Sequence, residues 1–203
     1  MAKWPGFGRC KTRLAKDIGQ RKSLIIQRRM FQHTLSVASY LEKEGYLEIS
    51  LAIDGIGLQS SKRWCKKLGI NNFNLQGHGL LGEKIKRQIL INHKKYFKFQ
   101  KRDLIIIGTD LTDLCHLDLL KAISKIKKTE IILGPSNDGG YWLIGISKKI
   151  ISPPFILPFI DIQWSSNNVL QKTIDHLTKK RIKIEYLNSK VDIDLISDLL
   201  KQV

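Results

Sequence analysis

The sequence has no apolar run long enough to cross a membrane. A membrane-spanning helix needs roughly 18 or more consecutive apolar residues, and the densest apolar stretch, Leu104–Ile107, fits a buried strand instead. Residues 1–6 also lack the apolar segment of a secretory signal. These absences argue against a membrane span and a secretory signal, and the cysteine usage described next favours the reducing cytoplasm as the location.

Cysteine is scarce, and histidine shows no metal-binding spacing. The three cysteines, Cys10, Cys65 and Cys115, are far apart and form no C-x-x-C pair, which argues against a disulfide framework and a cysteine zinc site. None of the five histidines forms an i, i+4 pair. Cys10 lies between Arg9 and Lys11, so we expect a lowered thiol pKa there, but an incidental thiol is favoured over a nucleophile.

Acidic residues are few for so many basic ones. The chain has 35 Lys and Arg against 18 Asp and Glu, a net charge of +17. This excess suggests a polyanionic partner such as nucleic acid. However, 26 Lys against 9 Arg and 29 Ile against 4 Val are typical of AT-rich coding, and we favour that explanation. Residues 1–29 remain distinctive, with nine basic residues and one acid, Asp17.

Predicted helices and strands alternate along the chain, without internal repeats or linkers. With 203 residues, the chain is expected to form a single domain over 1–203. The pattern predicts a three-layer α/β/α sandwich around a mostly parallel sheet. Pro153, Pro154 and Pro158 predict a loop. The predicted helices are 21–44, 58–68, 80–97, 114–126, 165–178 and 194–201; the predicted strands are 47–53, 71–75, 103–107, 130–133, 140–146 and 181–187.

The first motif is a glycine-rich basic segment over residues 3–14. Gly6 and Gly8 allow close backbone approach to an anion, and Lys11 and Arg13 add positive charge. It is not a Walker loop, because Cys10 stands where that loop has glycine directly before the Lys-Thr pair. The motif predicts a phosphate site, with a flexible basic tail as the alternative.

The second motif places an acid just after a buried strand, at Gly108-Thr109-Asp110. Ligands of α/β folds bind at the carboxyl ends of strands, and Mg²⁺ prefers one or two carboxylates completed by water and phosphates. Asp110 is therefore a candidate metal ligand. The alternative is that Asp110 caps a turn or the next helix.

The third motif combines an acid, two glycines and two aromatics: Asp138, Gly139, Gly140, Tyr141 and Trp142. The aromatic rings can stack on a sugar or base, and the glycines permit close approach of a ligand. The alternative is an Asp-Gly hairpin with its aromatics in the core.

The fourth motif is Asp192-Ile193-Asp194 before the last predicted helix. Spacing of two in an extended segment puts both acids on one side, where they repel unless a cation or strong donors lie between them. The alternative is a pair of helix caps.

Taken in this order, the motifs resemble the GT-A-type glycosyltransferase-like proteins, a branch of the nucleotide-diphospho-sugar transferase superfamily. That family has K-x-P-x-x-G-x-x-K-T-R-L, Q-x-x-G-x-L-G-E, G-T-D-x-P, G-P-x-x-D-G-G-Y-x-L-I-G, W-S-T and D-V-D-T-x-E-D-L. The matching residues are Lys3, Pro5, Gly8, 11–14, Gln76, Gly79, 81–83, 108–110, Gly134, Pro135, 138–145, 164–166, 192–194, 198 and 199.

The resemblance implies a metal-dependent transferase that uses a nucleotide-activated donor, with a nucleotide sugar and a small-molecule acceptor as partners. Lys11 and Arg13 would neutralise the leaving diphosphate, and Asp138 would be the general base of a glycosyl transfer. The implied phosphate-binding residues are Gly6, Gly8, Lys11, Thr12 and Arg13. The implied ligands of Mg²⁺ or Mn²⁺ are Asp110 and Asp194, or else Asp192. The implied acceptor or sugar site is Asp138, Gly139, Gly140, Tyr141 and Trp164.

The sequence departs from the family at its start. Members usually have an apolar strand of about six residues before the Lys-x-Pro motif, whereas Met1 precedes Lys3 by two residues. We therefore expect the first strand to be missing or truncated, through either a misplaced start or a real truncation. The chain also lacks the proline of G-T-D-x-P and has Leu195 in place of the threonine near the end.

Two other functions remain open. A nucleotidyltransferase similar to the guanylyltransferases would act on a phosphorylated small molecule and would need alignment and charge neutralisation rather than a base. A non-catalytic nucleic-acid-binding protein would show binding that falls steeply with salt and survives the loss of Asp110. We do not expect a nucleic-acid partner, and the donor-binding transferase is favoured.

Overall fold

The structure is a computed structural model of the chain. The residues that it describes are 1–96, 102–151, 162, 164 and 166–200. The loop predicted from Pro153, Pro154 and Pro158 lies outside the described residues.

The described residues group into two compact units, each assembled from separate parts of the chain. The first unit contains Met1–Leu75, Gly108–His116 and the chain from Val191 onward. The second unit contains Gln76–Ile107 and Leu117–Lys190. The single domain over 1–203 stays a prediction.

The first unit has a parallel three-stranded sheet in the order β1-β2-β3, with four helices among its described residues. Its elements are β1 (Ala2–Lys3), α1 (Leu14–Ile18), α2 (Gln20–Lys43), β2 (Leu51–Asp54), α3 (Leu58–Leu68), β3 (Phe73–Leu75) and α7 (Ile196–Leu200). One cluster of its core packs Ala2, Phe31, Leu51, Ile53 and Cys65 together.

The second unit has a four-stranded sheet in the order β4-β6-β5-β7. Strand β6 is antiparallel to β4 and β5, and β7 is parallel to β5. Its elements are α4 (Leu81–Tyr96), β4 (Leu104–Ile107), α5 (His116–Ile126), β5 (Ile131–Pro135), β6 (Tyr141–Ile146), α6 (Val169–Lys179) and β7 (Ile184–Tyr186). The predicted α/β class with mostly parallel strands is confirmed, because three of the five described strand pairings are parallel.

The first strand is present but only two residues long. Ala2 and Lys3 pair in parallel with Ile53 and Asp54, and Ala2 is buried. The Trp4 N–H continues this pairing to the Asp54 carbonyl at 2.8 Å. The first strand is therefore not missing, and its two residues hold the start of the glycine-rich segment.

Strand β2 begins later than the alternating pattern predicts. The predicted strand covers residues 47–53, but the structure forms a strand only from Leu51 to Asp54. Leu51, Ala52 and Ile53 are all buried, so both faces of the strand are covered. Alternation of apolar and polar residues is typical of a strand with one buried face. Because both faces of this strand are buried, the alternation does not locate its first residue.

The long helix α2 buries polar as well as apolar side chains. Ser23 and Gln27 are buried together with Met30 and Phe31, whereas Arg28 is exposed. Burial of these polar groups is compatible with stability because each forms a hydrogen bond: Ser23 Oγ donates to the Gln20 carbonyl, and Gln27 donates to Asp110. The helix ends as predicted at Gly45, which has φ +76°.

Strands β5 and β6 form a hairpin whose loop contains the Asp-Gly-Gly motif. The Ser136 N–H donates to the Gly140 carbonyl at 3.0 Å, and the Gly139 N–H donates to the Ser136 carbonyl at 3.1 Å. Gly139 has φ +86°, and a Cβ at this position would lie 2.0 Å from the Asn167 carbonyl oxygen. Because glycine has no side chain, the backbone of Asn167, just before α6, can pack closely against Gly139.

Among the described helices, none combines the length and the apolar character that crossing a membrane requires.

We expect Gly139→Ala to lower the free energy of unfolding by about 2 kcal/mol or more, because the new methyl group collides with backbone and the left-handed conformation penalises a Cβ. Thermal unfolding should show a melting temperature lower by roughly 4–8 °C. Gly57→Ala is the matched control, since Gly57 has φ −75° and no atom within 4 Å of an added Cβ. Equal melting temperatures for the two variants would contradict this packing argument.

Candidate functional site

The glycine-rich segment after β1 is an ordered turn. The Arg9 N–H donates to the Gly6 carbonyl at 3.1 Å, and Gly8, with φ +68°, occupies the third position of the turn, where a positive φ favours glycine. Cys10 Sγ donates to the same Gly6 carbonyl at 3.5 Å. These contacts fix the backbone that leads to Lys11, so the alternative of a flexible tail does not describe this structure.

The two glycines of this turn differ in what their backbone can offer a ligand. Gly6 is buried, its N–H already donates to the Trp4 carbonyl at 2.8 Å, and an added Cβ would lie 2.5 Å from the Trp4 ring. Gly8 is exposed. Gly6 therefore shapes the turn by packing, whereas Gly8 lies at the surface, as does Thr12.

Burial, rather than charge, dominates at Cys10. The prediction of a lowered pKa is wrong, because burial of the thiol raises its pKa, and the nearby Lys3, Lys11 and Arg28 oppose this shift only in part. A buried thiol with a raised pKa is a poor nucleophile at neutral pH, which agrees with an incidental role.

Lys11 directs its ammonium group towards two acids from distant parts of the chain. Its backbone has φ +48°, which is uncommon for a residue with a side chain, and its carbonyl accepts the Ala15 N–H at 2.8 Å as α1 begins. Lys11 Nζ lies 2.8 Å from Asp110 Oδ2 and 3.8 Å from Asp194 Oδ1. The lysine side chain is 5% exposed, and those of Asp110 and Asp194 are 42% and 44% exposed.

The two acids come together because the segments that carry them pair through their backbones. Leu111 and Asp192 form an isolated antiparallel bridge, and the Ile193 N–H donates to the Asp110 carbonyl at 3.2 Å. Ile193 is fully buried between Asp192 and Asp194. This pairing places the second and fourth motifs side by side.

Asp194 is not the acid that caps the last helix. Asp198 Oδ2 accepts the backbone N–H groups of Asp194 at 3.0 Å and Leu195 at 2.8 Å, and thereby caps α7 from within its first turn. The Asp194 carboxylate instead accepts Arg13 Nη1 at 2.9 Å. The alternative of a helix-capping pair therefore fails for Asp194, whose carboxylate joins the cluster around Lys11.

Sequence reasoning missed one member of this cluster. Gln27, buried on α2, donates from Nε2 to Asp110 Oδ1 at 3.2 Å. The alternative of Asp110 as a cap is not what these contacts show, since its oxygens accept from Gln27 and Lys11. The signal that could have found Gln27 is its spacing of three and four from Met30 and Phe31, both buried on the same helix.

The predicted metal ligands can be tested for fit. The described residues contain no group of three or more His, Cys, Asp or Glu side chains arranged to hold a metal ion. Asp110 and Asp194 nevertheless hold a cation, the Lys11 ammonium, between their carboxylates. Two carboxylates suffice for Mg²⁺ when phosphates and water complete its coordination, so the pair fits a metal that arrives with a phosphate ligand.

The third motif lies in the second unit, in the β5–β6 hairpin loop. Asp138 is exposed, and its Oδ1 accepts the Gly140 N–H at 2.9 Å, which orients the carboxylate. The Tyr141 and Trp164 rings meet edge to face with centroids 6.3 Å apart. Burial raises the pKa of the Tyr141 phenol, opposed in part by Thr173, so this hydroxyl stays protonated at neutral pH.

A mostly buried ion pair supports this loop. Lys190 Nζ lies 3.0 Å from Asp118 Oδ2, with side chains 8% and 14% exposed. The backbone of Lys190 is also bonded to the loop, since its N–H donates to the Pro135 carbonyl and its carbonyl accepts the Asn137 N–H. Removing one partner of such a pair is strongly destabilising. The ion pair and the two backbone hydrogen bonds of Lys190 therefore stabilise the hairpin loop where it joins the sheet.

The structure thus brings Lys11, Arg13, Asp110 and Asp194 together in the first unit. The predicted acceptor or sugar residues Asp138, Gly139, Gly140, Tyr141 and Trp164 belong to the second unit.

Solved structures share the fold of this chain. A crystal structure of a provisionally assigned nucleotide-diphospho-sugar transferase from Desulfovibrio desulfuricans G20 is 26% identical, with a TM-score of 0.84 over 98% of this chain and 81% of that chain. The 4-diphosphocytidyl-2C-methyl-D-erythritol synthase from Anaerococcus prevotii DSM 20548 is 12% identical, with a TM-score of 0.59 over 85% of this chain and 86% of that chain. No curated protein matches the sequence significantly.

The first likeness confirms the predicted resemblance to nucleotide-diphospho-sugar transferases, and the second concerns the fold alone. A family described as "Uncharacterized protein conserved in bacteria (DUF2064)" matches residues 37–166, more than half of the chain. The match includes Asp110 and the Asp138–Tyr141 segment, with the glycine-rich turn and Asp194 lying on either side of it. The chain therefore belongs to this DUF2064 family.

Proposed function

We propose that this chain is a metal-dependent transferase that binds a nucleotide-activated donor, and that the donor is a nucleotide sugar. The observation that carries the proposal is the convergence of Lys11 and Arg13 with Asp110 and Asp194 beside an ordered glycine turn. The structural likeness to a provisionally assigned nucleotide-diphospho-sugar transferase supports the same donor class.

The basic side chains suit the diphosphate of such a donor. In a glycosyl transfer, negative charge develops on the leaving diphosphate, and positioned cations stabilise it in the transition state. The Arg13 side chain is 67% exposed and can therefore reorient towards a ligand. A guanidinium group can bind two phosphate oxygens at once through two of its N–H groups. The exposed Gly8 and Thr12 can add polar contacts to the same ligand.

Asp110 and Asp194 would hold the divalent cation. Bound Mg²⁺ or Mn²⁺ would supply Lewis-acid stabilisation of the diphosphate charge. Neighbouring side chains position these carboxylates. Gln27 donates a hydrogen bond to one oxygen of Asp110, and Asp198 caps the last helix, so the Asp194 carboxylate is not used as the cap. Asp192 remains the alternative second ligand, because its backbone pairs with Leu111 next to Asp110.

On the acceptor side, we assign the general base to Asp138. In a glycosyl transfer with inversion, a base takes the proton from the acceptor hydroxyl as the glycosidic bond forms, and Asp138 is an exposed carboxylate oriented by the Gly140 N–H. The half-buried Trp164 ring, packed edge to face against Tyr141, offers aromatic surface of the kind that stacks on sugars. Gly139 acts indirectly, since its packing on Asn167 sets the shape of the loop.

Nucleotidyl transfer to a phosphorylated acceptor is the second candidate. The cluster of Lys11, Arg13 and the two acids suits a nucleoside triphosphate as well as a diphosphate, and this reaction does not require the Asp138 base. The fold likeness to a diphosphocytidyl-methylerythritol synthase keeps this candidate in consideration.

A nucleic-acid-binding role gains less support from the contacts. Lys11 and Arg13, two of the nine basic residues of the distinctive N-terminal cluster, are paired with Asp110 and Asp194. A nucleic-acid backbone could bind these two side chains only by displacing both acids, and this role names no metal ion that would then pair with the displaced carboxylates.

The central test is a thermal-shift panel of nucleotides and nucleotide sugars with and without Mn²⁺. At a ligand concentration one hundred times Kd, binding should stabilise the wild-type protein by roughly 2.7 kcal/mol. Asp110→Ala should abolish the metal-dependent part of this shift. Asp17→Ala, which removes an exposed acid on α1, is the matched control and should keep it.

The panel also separates the candidates. A metal-dependent shift with UDP-sugars or GDP-sugars favours glycosyl transfer, whereas a shift with GTP or CTP alone favours nucleotidyl transfer. The donor-binding proposal fails if no nucleotide shifts the melting temperature, or if the shift survives in Asp110→Ala at full size. Salt-sensitive binding of an oligonucleotide that persists in Asp110→Ala would instead favour the nucleic-acid-binding role.

Asp138→Asn should separate binding from turnover. Loss of a general base costs about 10²–10⁴ in rate, so we expect nucleotide-sugar turnover to fall by that factor while the donor Kd changes less than about tenfold. Rates and donor binding are measured on the same preparation. Unchanged nucleotide-sugar turnover in this variant would remove Asp138 from the role of general base.

A further inference from the structure

The acid pair of the candidate site is already fully engaged by the chain's own donors. Asp110 accepts Lys11 through Oδ2 at 2.8 Å and Gln27 through Oδ1 at 3.2 Å. Asp194 accepts Arg13 through Oδ2 at 2.9 Å, and its Oδ1 lies 3.8 Å from Lys11 Nζ. Each of the four carboxylate oxygens therefore has a donor or a positive charge close to it.

The two cations of this cluster differ in how freely they can move. The Arg13 side chain is 67% exposed, so water can replace its contact with Asp194 at little cost. The Lys11 side chain is 5% exposed, although both of its acidic partners are more than two-fifths exposed. A hydrated ion arriving from solvent would thus meet the carboxylates first, with a covered ammonium group held against them.

A divalent ion and this ammonium group compete for the same charge. A metal bound to Asp110 and Asp194 would lie beside Lys11 Nζ, and like charges at such short range oppose each other strongly. The repulsion is relieved when a further anion arrives, because a diphosphate can accept the ammonium and also contribute oxygens to the metal. Metal and diphosphate should then assist each other's binding.

We propose that Lys11 makes the metal site conditional. Without donor, its ammonium group occupies the acid pair in place of a metal ion and keeps the affinity for free divalent ions low. When a donor diphosphate binds, Lys11 transfers its contact from Asp110 to the phosphate, and the acid pair becomes available to Mg²⁺ or Mn²⁺. The role of the donor rests on the proposed function, whereas the competition between Lys11 and metal does not.

The test uses Mn²⁺ alone as the probe, with free ion measured by electron paramagnetic resonance. Lys11→Met should bind Mn²⁺ about tenfold or more tightly than the wild-type protein, since a single charge about 4–6 Å away commonly shifts the proton equilibrium of a carboxyl group by one to three powers of ten. Lys16→Met is the matched control, because it removes the same charge from an exposed position on neighbouring α1. Lys11→Arg keeps the charge and should stay weak.

A second acid-site variant locates the ion. Adding Asp110→Asn to Lys11→Met should return Mn²⁺ binding to the wild-type level or below. The competition is overturned if Lys11→Met binds Mn²⁺ no more tightly than Lys16→Met, or if the gain persists in the double variant. Circular dichroism confirms folding, and Lys11→Gln replaces the methionine variant if that one does not fold.

The donor's part is measured on the wild-type protein. The Mn²⁺ affinity should rise when a nucleoside diphosphate from the panel is present, and the nucleotide affinity should rise by the same factor with Mn²⁺, because coupling is reciprocal. Nucleotide binding that leaves the Mn²⁺ affinity unchanged would overturn this inference and leave the proposed donor function standing. Tighter Mn²⁺ binding by Lys11→Met without any nucleotide binding would overturn the proposed donor function and leave the competition standing.

Discussion

The contact between Lys11 and Asp110 is the interaction on which the candidate site depends, because it joins residues 99 positions apart in the chain. The glycine turn presents Lys11 to Asp110, and the backbone pairing beside Asp110 brings Asp194 to the same ammonium group. Two acids placed this close repel each other without a cation between them. The lysine therefore allows the acid pair to exist in the folded chain, and the same property makes it a competitor for metal.

In the second unit one steric and one electrostatic constraint act on the β5–β6 hairpin loop. Gly139 leaves space for the Asn167 backbone, and the Lys190–Asp118 pair holds the base of the same loop. A loop restrained from both sides presents Asp138 in a defined direction, which a base or a binding group requires.

The bounds of a helix or strand are well predicted where a residue within or next to it sets them, as a glycine at a helix end does. Helix α3 has its predicted bounds because Gly69, with φ +71°, ends it. The start of β2 is missed because burial of both strand faces depends on the whole unit. The site is predictable to the level of residue types, but the Gln27 contact and the pairing of Lys11 with two acids are not. Both arise from tertiary packing, as does the burial that raises the pKa of Cys10.

Asp198 has a consequence for how substitutions near the chain's end are tolerated. It meets the demand of α7 for an acceptor through the N–H groups of Asp194 and Leu195. Asp198 thus caps the helix, and the Asp194 carboxylate is left to its contact with Arg13. A substitution at position 198 would remove the acceptor of these N–H groups. It would thereby disturb the backbone that positions Asp194, although the substituted residue lies outside the Lys11 cluster itself.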